Sequence, residues 1–276
     1  MYFFALLRQP FASPDRTILD QHQNSPGQWF GAIMCFSTEQ QAVIGSFDRI
    51  VIAVPNLAAA VADYQLLLGA KFWSLPAEGA GPRAWLGLAN VVLELREQAV
   101  ERTAIIGLVF AGDTGPIAPV EVKNARRLAV SICDGHETES FRRDHPAAQN
   151  PALKVDHLVL RTADAEACIS LFSVGLGIRL ALDKNAPQWG GRMLFFRVGK
   201  LTLEVIEPIE NKPEADHFWG IAYQCPDISA TVAQFQQSGV ELSQVRDGRK
   251  PGTRVATVKS HALGIPTLLI EPSSRL

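Results

Sequence analysis

The sequence predicts an α+β protein in which repeated βαβββ units pair into two curved-sheet cups. The main observation is a repeat: residues 47–70 and 155–178 each give an alternating apolar strand, a polar break, an amphipathic helix and a Leu-Gly stop. Asp48 and Asp156 occupy equivalent places in the two copies, 156 − 48 = 108 positions apart. One such unit cannot bury both faces of its sheet, so we expect the units to pair.

The composition indicates a globular chain with room for two cores. The chain has 276 residues, of which 47% are hydrophobic and 20% are charged. A formal net charge of −2 argues against a nucleic-acid partner, and no apolar run approaches the roughly 20 residues that cross a bilayer. The N-terminus lacks the pattern of a signal peptide. The four scattered cysteines form no CxxC pair, which predicts free thiols and a cytoplasmic location.

The elements follow in order along the chain. Residues 1–45 show no sustained period and are predicted to form an irregular extension. The first unit then begins with a strand over 47–54. Its helix is predicted to be capped by Asn56 and ended by Gly69, and three short strands follow it.

The second unit is predicted to be shortened. Residues 104–113 read as its opening strand, but Pro116 and Pro119 fall where its helix should be. The third unit repeats the first from Val155, and a fourth follows with a helix over 228–237. The predicted segments are the extension (1–45), an N-terminal domain with the shortened unit (46–144), a linker (145–154) and a C-terminal domain with the candidate site (155–273).

This order of units resembles the vicinal oxygen chelate superfamily, which includes glyoxalases, bleomycin-resistance proteins, methylmalonyl-CoA epimerases and type I extradiol dioxygenases. The resemblance covers most of residues 46–272. It rests on the strand openings DRIVIAV and DHLVLRT, the Leu-Gly helix stops and the strand endings VLELRE and LEVIEP. It implies a glyoxalase-like fold in which a divalent metal inside a cup chelates two adjacent substrate oxygens.

In the third unit, this resemblance places His157 and Glu204 at the metal positions, 204 − 157 = 47 residues apart, and implies a catalytic and metal-binding role for both. In the fourth unit the same positions hold Gly220 and Leu268, which cannot bind a metal. His217 is a third implied ligand, provided that a bulge turns it towards the cup. The alternatives are a rim histidine at His217 and a partly buried histidine without a ligand role at His157.

The C-terminal cup also contains predicted substrate-binding residues. A tryptophan beside Gly-Gly is typical of a pocket wall, and nearby arginines recognise a carboxylate or carbonyl. The missing side chain at Gly220 is predicted to leave space for a substrate. The alternative is a turn in which the tryptophan packs on the barrel end and the arginines lie in solvent. The predicted substrate-binding set is Arg161, Trp189, Arg192, Gly220, Gln224 and Arg254.

These patterns favour an enzyme of lyase, isomerase or dioxygenase type that acts on a small oxygenated metabolite with a divalent metal (Fe, Mn, Zn or Ni) or with none. One alternative is a metal-free ligand-binding protein of bleomycin-resistance type. Another is a metal-free cup in which His157 and Glu204 shuttle a proton. The sequence has no P-loop, nucleophile elbow or dinucleotide fingerprint. We expect a small-molecule ligand, no membrane partner, and strand edges that allow a homodimer.

Overall fold

The computed structural model describes residues 43–76, 81–146 and 154–273. All of them belong to one compact unit. Most of the predicted extension (1–45) and of the predicted linker (145–154) lies outside the described residues. Within the described ranges, no helix is long and apolar enough to cross a membrane.

The first unit forms as the sequence predicts. The Asn56 side chain accepts a hydrogen bond from the Ala59 amide at 2.8 Å, which starts the helix, and Gly69 ends it with a left-handed φ of 63°. The first and last strands of the unit run parallel to each other. Its elements are β1 (Ile44–Val54), α1 (Leu57–Leu68), β2 (Trp73–Leu75), β3 (Arg83–Gly87) and β4 (Val92–Glu97).

The second unit adds three strands to the same sheet. They are β5 (Ala104–Gly112), β6 (Val120–Glu121) and β7 (Ala129–Cys133), followed by α2 (His136–Asp144). No helix forms in the described stretch between β5 and β6, where the two prolines lie. His136 begins α2. The complete sheet has the order β2-β3-β4-β1-β5-β7-β6.

The third and fourth units form an eight-stranded sheet with the order β13-β14-β15-β12-β8-β11-β10-β9. The two sheets confirm the predicted α+β architecture of paired βαβββ units. After α3 the chain continues as a π-helical turn to Gly175. The elements are β8 (Lys154–Arg161), α3 (Ala165–Ile169), β9 (Arg179–Ala186), β10 (Gly191–Val198), β11 (Leu201–Pro208), β12 (His217–Gln224), α4 (Ile228–Gln237), β13 (Arg246–Asp247), β14 (Arg254–Val258) and β15 (Thr267–Glu271).

One continuous apolar core joins the two sheets and includes buried residues of α1, α3 and α4. Because side chains alternate along a strand, each strand divides its residues between this core and the opposite face, which lines a cup. On β8, Leu158 and Leu160 are fully buried in the core. Their neighbours His157 and Arg161 therefore lie on the cup face.

The cup of the N-terminal sheet is filled by α2. The ring of Phe141 meets the Trp85 ring edge-on, with the ring centroids 5.3 Å apart. An added Cβ at Gly87 would lie 3.0 Å from the Arg142 side chain, so the helix approaches β3 closely. Trp85 and Val92 are almost completely buried beside Phe141. The helix α2 therefore occupies the space that a ligand would need in this cup.

Candidate active site

His157 and Glu204 face each other inside the C-terminal cup. β8 and β11 are adjacent and parallel, and their register pairs Glu204 with Val159, two residues beyond His157. The Nε2 atom of His157 lies 3.5 Å from Oε2 of Glu204. Only 16% of the His157 side chain and 10% of the Glu204 side chain are exposed. The two predicted catalytic residues are thus brought together.

Asp156 completes this group through an irregularity in the strand. The register between β8 and β12 skips Asp156, which is typical of a β-bulge that re-aims a side chain. Its Oδ2 atom lies 2.9 Å from Nδ1 of His157. A carboxylate at this distance favours the tautomer that has its proton on Nδ1, which leaves the Nε2 lone pair directed towards Glu204.

The two carboxylates determine the charge preference of the imidazole. Burial by itself lowers the pKa of His157, but the hydrogen bond to Asp156 and the charge of Glu204 outweigh burial, and the pKa is raised above its ordinary value of 6.5. Burial raises the pKa of Asp156, but the hydrogen bond and charge of His157 outweigh this effect and lower it. The arrangement therefore stabilises a proton on His157.

We expect the Asp156→Asn variant to lower the pKa of His157, because the raising hydrogen bond to a charged partner is lost. NMR titration of the imidazole would measure the change. A raised folded-state pKa stabilises the fold below the unfolded value and loses this effect as the pH rises through the folded value. The Asp156→Asn variant should therefore also lose the stability that protonated His157 gives the fold at low pH. The matched control is Asp183→Asn, which removes a carboxylate on the other face of the sheet and should leave the His157 titration unchanged.

The N-terminal cup contains an equivalent group built around an arginine. Arg49 and Glu94 occupy the strand positions that correspond to His157 and Glu204, and Nη1 of Arg49 lies 3.5 Å from Oε2 of Glu94. Asp48, the equivalent of Asp156, accepts a hydrogen bond from Nε of Arg49 at 2.6 Å. All three residues of the arginine group are at most 5% exposed. The guanidinium thus supplies an internal cation in the cup that α2 fills.

His217 does not join the pair, so the expected third metal ligand is absent from the group. It begins β12, and its register partner is Arg161, four residues and about 13 Å along β8 from His157. The side chain is exposed, and Nδ1 lies 3.1 Å from the Ala215 carbonyl oxygen. The irregularity between Phe218 and Gly220 shifts the strand but does not move His217 towards the cup floor.

The described donors do not fit a divalent metal centre of the expected kind. Among residues that the structure describes, no three His, Cys, Asp or Glu side chains are grouped so that they could hold a metal ion. His157 and Glu204 supply two donors, whereas catalytic metal sites in proteins commonly use three protein ligands. The predicted set of His157, Glu204 and His217 is therefore corrected to a pair.

Two other predicted residues lie on the cup face, and one has a different role. Arg161 lies with its guanidinium carbon 5.9 Å from the centre of the Trp219 ring. Gln224 is half-buried on the same face at the end of β12. Gly220 leaves no space for a substrate, because an added Cβ would lie 2.8 Å from the Pro266 carbonyl oxygen. Position 220 requires glycine because the Pro266 backbone, just before β15, lies against it.

The two remaining predicted arginines face the helices instead of the cup. Arg192 binds Glu166 of α3 at 2.7 Å and Asp183 of β9 at 2.6 Å. Arg254 binds Glu271 at 2.8 Å and donates to Ser229 of α4 at 3.1 Å. Both predictions of substrate binding are corrected. Strand alternation explains the placement, because each arginine is one residue out of phase with the cup-facing positions of its strand.

Trp189 lies at the cup edge together with residues that the sequence did not single out. Lys184 places its Nζ atom 4.1 Å from the centre of the Trp189 ring. The guanidinium carbon of Arg249 lies 5.5 Å from the same ring, and Nη1 of Arg249 lies 3.8 Å from the Met193 sulfur. Burial lowers the pKa of Arg249, and the charge of Glu204 acts in the opposite direction. Its segment, GRKPGTR, reads as a turn, so no sequence signal marked it.

Comparisons with known proteins agree with this architecture. Residues 156–257 match the family model described as Glyoxalase/Bleomycin resistance protein/Dioxygenase superfamily. A triple mutant of 4-hydroxymandelate synthase from Streptomyces coelicolor is 15% identical and covers 84% of this chain and 94% of its own, with a TM-score of 0.64. At this identity the likeness establishes the fold alone.

Other solved structures match a smaller part of the chain. Methylmalonyl-CoA epimerase from Mycobacterium tuberculosis is 20% identical, with a TM-score of 0.39, and covers 44% of this chain and 88% of its own. A hypothetical protein from Bacillus halodurans is 19% identical, with a TM-score of 0.40, and covers 45% of this chain and 98% of its own. No protein with a curated description matches the chain.

Proposed function

We propose that the cup of the C-terminal sheet, whose residues 156–257 match the Glyoxalase/Bleomycin resistance protein/Dioxygenase superfamily model, is an enzyme site. The proposed reaction is proton transfer at a carbon next to a carbonyl group in a small oxygenated metabolite. The observation that supports it is the series of contacts from Asp156 through His157 to Glu204, at 2.9 Å and 3.5 Å around one imidazole. Such a chain orients a histidine and adjusts its pKa for acid-base work.

His157 is the proposed general base. Its Nε2 lone pair takes the proton from the substrate carbon while the C–H bond breaks, and the electron pair moves onto the carbonyl oxygen to give an enolate. Asp156 and Glu204 stabilise the imidazolium that forms, because each lies on one side of the ring. Return of a proton from the imidazolium to the enolate carbon regenerates His157, and a proton exchanged with solvent before this return leaves deuterium on that carbon in D2O.

No step is assigned to a metal, because two donors are fewer than a metal-assisted reaction of this kind requires. The geometry therefore favours the proton-shuttle hypothesis over the metal-assisted one. The cup has another feature that does not involve the histidine. The Trp189 ring lies at its edge with Lys184 and Arg249 beside it, and this arrangement suits binding of the same ligand.

The test is solvent deuterium incorporation. Protein freed of metal with a chelator is incubated in D2O with 2-oxo acids, 2-hydroxy acids and short acyl thioesters, and loss of the α-proton signal is followed by NMR. We expect exchange in at least one class, with the same rate after divalent metal is added back. Exchange only with metal would contradict the metal-free mechanism. Ligand binding without exchange in any class would instead identify a sequestering protein.

A further inference from the structure

The C-terminal cup is rich in cations. Side chains alternate between the two faces of a sheet, and residues that pair across neighbouring strands share a face. The pairings of β8 with β11 and β12, of β11 with β10, and of β10 with β9 therefore show which residues share the face of the sheet that carries His157. On this face of the described strands, Glu204 contributes one carboxylate, and Asp156 contributes a second at the irregularity of β8. The cationic residues on the same face are Lys154, Arg161, Arg179, Lys184, Arg197 and Arg246. Arg249 reaches this face from the loop after β13. Such a surface attracts an anion.

A tight loop holds Arg249 in place. The Gly248 amide donates to the Thr253 carbonyl at 2.8 Å, and the Thr253 hydroxyl donates to the Lys250 carbonyl at 2.6 Å. An added Cβ at Gly248 would lie 2.2 Å from Oγ1 of Thr253, so the loop closes without spare room. Thr253 is 4% exposed. The backbone on both sides of Arg249 is therefore fixed, which lowers the entropy cost of using its side chain for recognition.

The surroundings of Arg249 match a carboxylate ligand. Trp189 and Met193 provide an apolar wall beside the guanidinium. Met193 lies two residues from Phe195, which pairs with Glu204, so the arginine and the acid-base pair share one face of the sheet. A guanidinium in a partly dehydrated setting binds a carboxylate through two parallel hydrogen bonds, which a lysine ammonium cannot reproduce.

We propose that Arg249 binds the carboxylate of the substrate and thereby selects small carboxylic acids for this cup. The inference deepens the proposed function and rests on it, because the bound carboxylate would hold the neighbouring carbon near His157. It adds a specificity-determining residue and a substrate class, namely 2-oxo and dicarboxylic acids of a few carbons.

The test is calorimetric binding of pyruvate, malonate and succinate, each compared with its neutral amide. We expect the native protein to bind the acids and not the amides. Arg249→Gln should weaken acid binding by about tenfold to a hundredfold, and Arg249→Lys should recover only part of it. Arg254→Gln, which changes an arginine on the helix side, is the matched control and should bind as the native protein does. Thermal melting of each variant checks that it is folded.

Two results would overturn this inference: native protein that binds acids and amides equally or not at all, and folded Arg249→Gln protein that binds acids as tightly as the native protein. His157→Gln separates the inference from the proposed function. Acid binding that depends on Arg249, together with proton exchange that survives in His157→Gln, would leave the inference standing and reject the proposed base. Proton exchange that is lost in His157→Gln, together with acid binding that is unchanged in Arg249→Gln, would support the proposed base and reject the inference.

Discussion

Replacing His157 with glutamine is expected to slow α-proton exchange by about 10²- to 10⁴-fold, the usual contribution of a general base. Glutamine keeps much of the side-chain volume and polarity but has no lone pair of comparable basicity. Nε2 of His157 is the proposed basic atom, and it lies 3.5 Å from Oε2 of Glu204. The rate of deuterium incorporation measures the loss, and His261→Gln in a turn before β15 serves as the histidine control.

The His157→Gln prediction depends on the variant remaining folded. Its melting temperature and acid binding should stay close to those of the native protein. If exchange continues at the native rate in the folded variant, His157 is not the base. If the variant instead unfolds, the histidine has a structural role, and Glu204→Gln, which leaves the imidazole and Asp156 in place, would be used to examine the pair.

Replacing Glu94 with alanine is expected to cost about 3–5 kcal/mol of folding free energy, as is usual when one partner is removed from a buried ion pair. Glu94 is fully buried and accepts hydrogen bonds from Arg96 at 2.9 Å and from the Trp85 indole at 2.9 Å. It also lies 3.5 Å from Arg49. The alanine variant leaves two cations and an indole N–H without this acceptor beneath α2. Urea denaturation measures the loss, with exposed Glu101→Ala as the control.

The pH dependence provides a second check on Glu94. Burial raises the pKa of its carboxyl, but the charge and hydrogen bonds of Arg96 outweigh burial and lower it below the ordinary value. A lowered folded-state pKa stabilises the fold above the unfolded value, and this effect disappears as the pH falls through the folded value. The stability difference between native protein and Glu94→Ala should therefore shrink in acid. If Glu94→Ala kept the stability of the native protein but lost proton exchange, the active site would lie in the N-terminal cup and the account would be wrong.

Much of the fold could be predicted because its signals are local. Asn56 and Gly69 fix the ends of α1 through a cap and a left-handed residue, and α4 has the predicted bounds, Ile228–Gln237. The repeat also indicated the candidate site, since Asp156 and His157 stand where Asp48 and Arg49 stand in the first unit. In both copies the aspartate bonds to its neighbour.

Features that depend on contacts between distant strands could not be predicted. The segment of α2 is polar and carries no predicted helix, and it is held by the tertiary contact of Phe141 with Trp85. The face on which Arg192 lies depends on the pairing of β10 with β11, which the spacing of residues along one strand does not give. The packing of Gly220 against Pro266 likewise joins residues that are far apart in the chain.

The most direct measurement is the pH dependence of α-proton exchange in the native protein and in Asp156→Asn, together with the NMR titration of His157 in both. If His157 is the base, the rate rises with pH through a midpoint above 6.5 that equals the pKa of the imidazole. In the variant, the kinetic midpoint and the imidazole pKa should move down together. A kinetic midpoint that stays in place while the titration of His157 moves would contradict its role as the base.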